Sequence, residues 1–517
     1  MKRAGLAALA FALAFASPAF AKTFRYASQV DPGTMDPHAV PSLYNNRVLS
    51  QIYEHLVGRD GAFKPVPELA LSWAALDGGR GWRFKLRPGV KFHDGTPFSA
   101  DDVVFNVARG LEPTSQYKTA LPNVTGARKV DALTVDILTR QPTPILPAAL
   151  TNLRLMSKAW CEKNGVTRPQ DFHGKEETFA TRNANGTGPY KLVRWETDVK
   201  TVVTANPGYW GKRGNVTEAE FLVIGSAATR LAGLISGDID FVVDPAVQDV
   251  ERLKGQPGIR IEQATGLGTQ FLGFHHQRAD LGDGSGRNPF KDPRVRMAVR
   301  AAIDVQALKK TVMRDLATTQ RSLYSSAVVG FDPRLKDVPR SDPAHARALL
   351  KEAGYPDGFA VALDCSSQQP TDAICQAIAG MLARVGIRVT YRPATFNVFL
   401  PKLTAGDMNL YVAGYTASSA DPEGVLVPLA RTQENGLGVY NFGKYSNPKA
   451  DAPIDKGSVE FDGARRAALF TEAMLAIDAD AGFVPLVTRN ITWAMRKNVR
   501  APARPSDILE LKTVELQ

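Results

Sequence analysis

Seven histidines and three cysteines set the limits of side-chain chemistry in this 517-residue sequence. His275 and His276 are adjacent, but neighbours in a strand point to opposite faces, so one ion would not reach both. The other five histidines show no ligand spacing, and no metal is expected. The run Asp280-Leu281-Gly282-Asp283-Gly284-Ser285-Gly286 lacks the alternating oxygens and closing glutamate of a calcium loop and reads as a surface loop. Asp101-Asp102 are paired acids, yet they follow Ser99 at a helix start, where they serve the helix dipole. No G-x-S-x-G elbow, H-E-x-x-H helix or G-x-x-x-x-G-K-[ST] loop occurs. Nucleophile-plus-base and phosphate-cradling chemistry therefore have no carrier, and neither an enzyme nor a cofactor is expected.

Cys365 and Cys375 flank the polar loop Ser366–Asp372, and either a disulfide or two reduced thiols fits that spacing. Cys161 has no acid–base motif around it and reads as a buried structural thiol.

The elements that hold these residues begin after an export signal. Lys2 and Arg3 precede the apolar run Ala4–Ala16, and Ala19-x-Ala21 is a small-residue cleavage pattern, so residues 1–21 read as a signal peptide. The run is too short to span a bilayer. Lys22, not Cys, would follow the cut, so a free periplasmic protein is expected and not a lipoprotein. The composition, 44% hydrophobic and 22% charged, is that of a globular chain. Its net charge of +11 is scattered, without a basic run or a nucleic-acid motif, so no nucleic-acid partner is expected.

Alternation marks strands at Thr23–Ala27, Trp82–Leu86, Thr134–Leu138, Val202–Ala205 and Glu220–Ile224. Helical spacing marks Asn45–Leu56, Ser99–Arg109, Pro293–Ala302, Pro343–Ala353, Thr371–Val385 and Gly463–Ala479. This alternation predicts an α/β protein with mixed sheets.

Several segments are similar to one family. They are Asp31-Pro32-Gly33-Thr34-Met35-Asp36-Pro37, Pro67–Trp73, the long run Trp82–Phe105, Gly186–Tyr190, and Asn206 with Tyr209-Trp210-Gly211. Gly237–Asp240, Asp292–Arg296, Glu352–Phe359 and Tyr445–Pro448 continue the order. Together they resemble the extracellular solute-binding proteins of family 5, which serve dipeptide, oligopeptide and nickel importers. The resemblance implies a two-lobed periplasmic-binding-protein clamshell, class II-like with mixed sheets, plus a third domain. Lobe I would comprise 22–59, 178–272 and 476–517, the extra domain 60–177, and lobe II 273–475. A peptide or other small solute would sit in the interlobe cleft and be delivered to ABC permease subunits of the inner membrane, with the ATPase on separate chains. A monomer is expected.

The resemblance also implies ligand contacts. Gly414–Pro422 matches the second-lobe loop, and the family's amine-binding aspartate falls at Ser418. A hydroxyl supplies no counter-charge for an ammonium. The backbone of Tyr415, Thr416 and Ala417 is the expected contact, pairing with an extended ligand. Asp421 is a further candidate, although an Asp before Pro422 also shapes turns. Arg392 is a candidate for an anionic group, as are Arg431 and Arg489, and Trp493 for stacking, with core packing the alternative. A solute without a free amine (an opine, a sugar derivative or a metal chelate) is the alternative ligand, and a secreted hydrolase the rival class.

Overall fold

The computed structural model describes residues 23–281, 286–416 and 419–517. The export signal lies outside these residues, as do most of the Asp280–Gly286 loop and both Ala417 and Ser418. No helix among the described residues is long and apolar enough to cross a membrane.

The strands of the first 140 residues are β1 (Thr23–Ser28), β2 (Val57–Arg59), β3 (Pro65–Pro67), β4 (Ala70–Ala75), β5 (Gly81–Leu86), β6 (Val124–Asp131) and β7 (Thr134–Thr139). Next come β8 (Tyr190–Glu196), β9 (Lys200–Ala205), β10 (Glu218–Val223), β11 (Phe241–Val243) and β12 (Ile259–Phe274). They are followed by β13 (Ala317–Thr318), β14 (Phe359–Ser366), β15 (Ile387–Ala394), β16 (Leu410–Thr416) and β17 (Phe483–Arg496).

Strands β4-β5-β7-β6 form an antiparallel sheet of their own. The helix Ala100–Leu111 covers it, burying Val103 and Val107 in a cluster with Phe84, Leu86, Val135 and Ile137. Ser99 caps that helix as its sequence requires: its hydroxyl accepts from Asp101 N, and Asp102 accepts from Ser99 N. This sheet's apolar cluster runs from Leu56 to Leu155.

The larger sheet has the order β15-β14-β16-β12-β17-β11-β1-β10-β9-β8, with β13 added beside β17. It is mixed: β1 lies parallel to β10 and β11, β14 parallel to β15 and β16, and β12 antiparallel to both β16 and β17. The two longest strands carry the chain between the lobes. Thr265 pairs with Asn490 and Thr269 with Thr488, so Gly266–Gly268 bulge opposite Arg489 alone. A Cβ on Gly266 would stand 2.6 Å from the Arg489 carbonyl oxygen, so only glycine permits this approach.

The core changes at this bulge. Beyond it on one side, Trp493 and Met495 pack with Phe24, Tyr26, Phe221 and Phe241. On the other, Leu272, Val484 and Leu486 join one cluster, and Phe271 and Phe483 another. Register and packing partners thus change together near 266–268 and 489. Trp160, Cys161 and Val166 pack in the same cluster as Phe24, Tyr26 and Trp493.

The first helix, expected over Asn45–Leu56, spans Leu43–Ile52 with Ser42 as its cap. Tyr53 turns extended because the next residue, Glu54, is drawn into a tertiary network. Thr187 Oγ1, Tyr209 OH and Trp210 Nε1 donate to its carboxylate at 2.8, 2.9 and 2.9 Å.

Candidate functional site

β16 ends at the bulge. Its residues Gly268-facing Thr416, Tyr415 and Gly414 pair with β12 on one side. On the other side, β14 reaches only Leu410 and Tyr411. Beyond Tyr411 that edge has no strand partner among the described residues. There Cys365 and Cys375 form a disulfide that ties β14 to the helix Thr371–Ala383. Tyr415 is half-buried, its ring 5.6 Å from that of Tyr440, and burial raises its phenol above the ordinary range. Thr416 is exposed. The structure therefore brings an open strand edge and an aromatic wall together.

The other residues expected at the site are placed differently. Asp421 accepts from Glu423 N at 2.9 Å and pairs with Arg466 at 2.9 Å, so its charge is committed to the start of the helix Glu423–Leu429. Arg431 is likewise engaged by Glu434, Asp451 and Asp455. Arg392 is exposed on β15, two strands and about 10 Å from β16. The stacking surface expected of Trp493 is corrected: the ring is 0% exposed, lies edge-on to Phe241, and donates from Nε1 to Asp507 at 2.7 Å. It acts as a support. Asp507 holds Arg47 at 2.5 Å, Arg47 holds Asp244 at 3.1 Å, and Asp244 meets Arg489 at 3.5 Å. Through this relay a buried first-lobe tryptophan positions the 45%-exposed side chain of Arg489 at the bulge.

His275 and His276 belong to the second-lobe packing. His275 Nδ1 accepts from Arg278 N, and His276 Nε2 donates to the Gly482 carbonyl. No group of three or more possible metal-binding side chains occurs among the described residues.

Sequence patterns gave no sign of a second feature, a cavity of ≈ 180 Å³ where the first helix, the β2–β3 hairpin and the C-terminal tail meet. Asn46, Glu54, Arg59, Phe63, Arg154 and Ser506 are on its wall. Phe63 also belongs to the apolar cluster of Leu267, Tyr411 and Ala413, so the cavity sits where second-lobe packing meets the rest. Its charges are sorted by environment. Burial and neighbouring Glu68 raise Glu54 to about 7. Burial opposes ionisation of Glu68 too, but Lys512 and His55 outweigh it and hold Glu68 near 2. The signal that would have found this site is the scatter of Glu54, Glu68, Arg154 and Lys512, which only folding assembles.

Two lobes joined by a pair of crossing strands, with an open strand edge and a polar cavity where the parts meet, define a solute-capturing protein. The model of the bacterial extracellular solute-binding proteins, family 5 Middle, matches residues 64–436, and the chain belongs to this family. The chain is 27% identical to heme-binding protein A of Haemophilus influenzae, over 85% of this chain and 82% of that one. It is 25% identical to the dipeptide-binding protein of Escherichia coli K12, over 97% and 96%. The ABC transporter-associated periplasmic binding protein DppA from Helicobacter pylori, solved with the peptide STSA, superposes with a TM-score of 0.78. It shares 25% identity, covering 96% of this chain and 98% of that one.

Proposed function

We propose that this chain is the periplasmic capture component of an ABC importer and takes up a peptide or peptide-like solute without altering it. The observation that carries this reading is the open edge of β16 beside Tyr415: an extended ligand adds there as a strand, its backbone satisfied by main-chain groups. Ligand contacts both lobes only when they are shut, so binding shifts the population toward closure about the Gly266–Arg489 bulge. The dipeptide-binding relative and the peptide-bound structure support the ligand class. Residues 1–21 serve as the export signal, permease and ATPase are separate chains, and the protein acts as a monomer.

A second reading rests on Ser418, where the resemblance to the family implies the amine-binding acid: the solute then lacks a free amine, as in an opine or a chelate. Mass spectrometry of what copurifies, followed by calorimetry and small-angle scattering with that compound, tests both. A bound, uncleaved solute that compacts the protein is expected. Turnover of the compound, or binding without compaction, defeats the proposal.

A further inference from the structure

We propose that Arg154 receives an anionic group of the captured solute, a carboxylate or phosphate, in the cavity beside the first helix. This rests on the solute-capture reading above and narrows its ligand class. Arg154 is 4% exposed, and its Nη1 donates to Asn46 Oδ1 at 2.9 Å. Its Nε is buried without a partner, and it makes no ion pair with any described carboxylate. Two other cations at the wall are matched by acids: Arg504 pairs with Glu510 at 2.7 Å, and Lys512 lies 3.5 Å from both Glu68 and Glu510. Glu54 accepts from three other donors, Thr187, Tyr209 and Trp210. A buried guanidinium without a counter-charge is strongly unfavourable, and a fold retains one where a ligand supplies the charge.

A second unpartnered atom lines the same cavity. His55 Nδ1 lies 3.1 Å from the ionised Glu68, which only accepts, so the proton sits on Nδ1 and Nε2 is a bare acceptor. Arg154 Nε gives a donor and His55 Nε2 an acceptor. Together they suit an anion that carries a neighbouring N–H or O–H, as an acylated amino acid does. A cavity of ≈ 180 Å³ admits such a group and not a long side chain.

Calorimetry with N-acetylglycine, N-acetylglycinamide and inorganic phosphate tests this on the full mature chain. The acid is expected to bind at least tenfold more tightly than the amide, and Arg154→Gln to erase that preference. Because Arg154→Gln removes a buried group, Asn46→Asp is the second variant. It places a carboxylate against Nη1, is expected to leave folding intact, and should also erase the preference. Phosphate that binds the wild type, displaces N-acetylglycine and is lost in Asn46→Asp supports the site and assigns it to free phosphate. Equal binding of acid and amide, a preference that survives both variants, or no saturable binding of either anion overturns it. The two readings fail separately: a copurified peptide bound equally as acid and amide removes the anion site and leaves solute capture standing.

Discussion

Phe461 of the second lobe lies against Trp82 of the four-stranded sheet, ring centroids 5.8 Å apart. The space beneath it exists because Gly79 (φ +67°) has no side chain; a Cβ there would come within 2.7 Å of the Phe461 ring. The pair connects the loop between the helices Pro448–Val459 and Gly463–Ala479 to the extra domain, away from the bulge strands.

Phe461 is 42% exposed, so it contributes little to either core and acts mainly on the placement of the two bodies. In Phe461→Ala the ligand-free protein is expected to expand in small-angle scattering, with the melting temperature within about 2 °C of wild type. Affinity for the copurified solute should fall severalfold. An unchanged radius of gyration would show that this contact does not bias closure.

Ser418→Asp supplies the acid that the resemblance to the family implies at this position. A charge-assisted bond to an ammonium is worth about 1.5–3 kcal/mol, so affinity for free-amine dipeptides should rise about tenfold or more. Calorimetry with a dipeptide and its N-acetyl form checks this; an equal gain for both would place Ser418 elsewhere.

Asp507→Asn leaves Arg47, whose side chain is 2% exposed, with Asp244 as its remaining acid. Removing one partner of a buried pair costs about 3 kcal/mol, and urea unfolding should register a loss near that size. Trp493 keeps an acceptor in the asparagine oxygen, so its fluorescence in the native state should change little.

His38 is fully buried among Asp36, Arg109 and Arg154. Arg109 donates to its Nδ1, and its Nε2 donates to the Arg154 carbonyl. Burial, with Arg109 beside it, lowers its pKa to about 3. The unfolded chain therefore binds a proton below about 6.5 that the folded protein refuses, so this contribution is present above pH 6.5 and drains away as pH falls toward 3. Between pH 6.5 and 5 it amounts to about 2 kcal/mol. Glu54 and Glu423, both raised to about 7, act with the opposite sign but equally in variant and wild type. His38→Gln should therefore shrink the stability difference between pH 7 and pH 5 by about 2 kcal/mol in denaturant titrations.

Reduction of the Cys365–Cys375 bridge, which closes a loop of sequence separation 10, should cost about 2–3 kcal/mol. A matching fall in the urea midpoint of Cys375→Ala without added reductant checks it.

Local chemistry was enough for some of the elements, but not for the long strands β12 and β17 or for β16. Ser99 with Asp102 dictates a helix start, and the alternation Trp82-Arg83-Phe84-Lys85-Leu86 dictates a half-buried strand, because caps and side-chain period act over a few residues. The ordered family segments likewise gave the family and the fold class. What sequence could not reveal was charge compensation between distant positions. Trp493 looks like a ligand-stacking residue until Asp507 and Phe241 close over it, and Asp421 looks available until Arg466 arrives from 45 residues away. Arg154 looks like any arginine among 63 basic residues, and only the folded chain leaves it buried at a cavity wall with its Nε unpartnered. Pairing and desolvation depend on distances through space, and tertiary structure alone decides them.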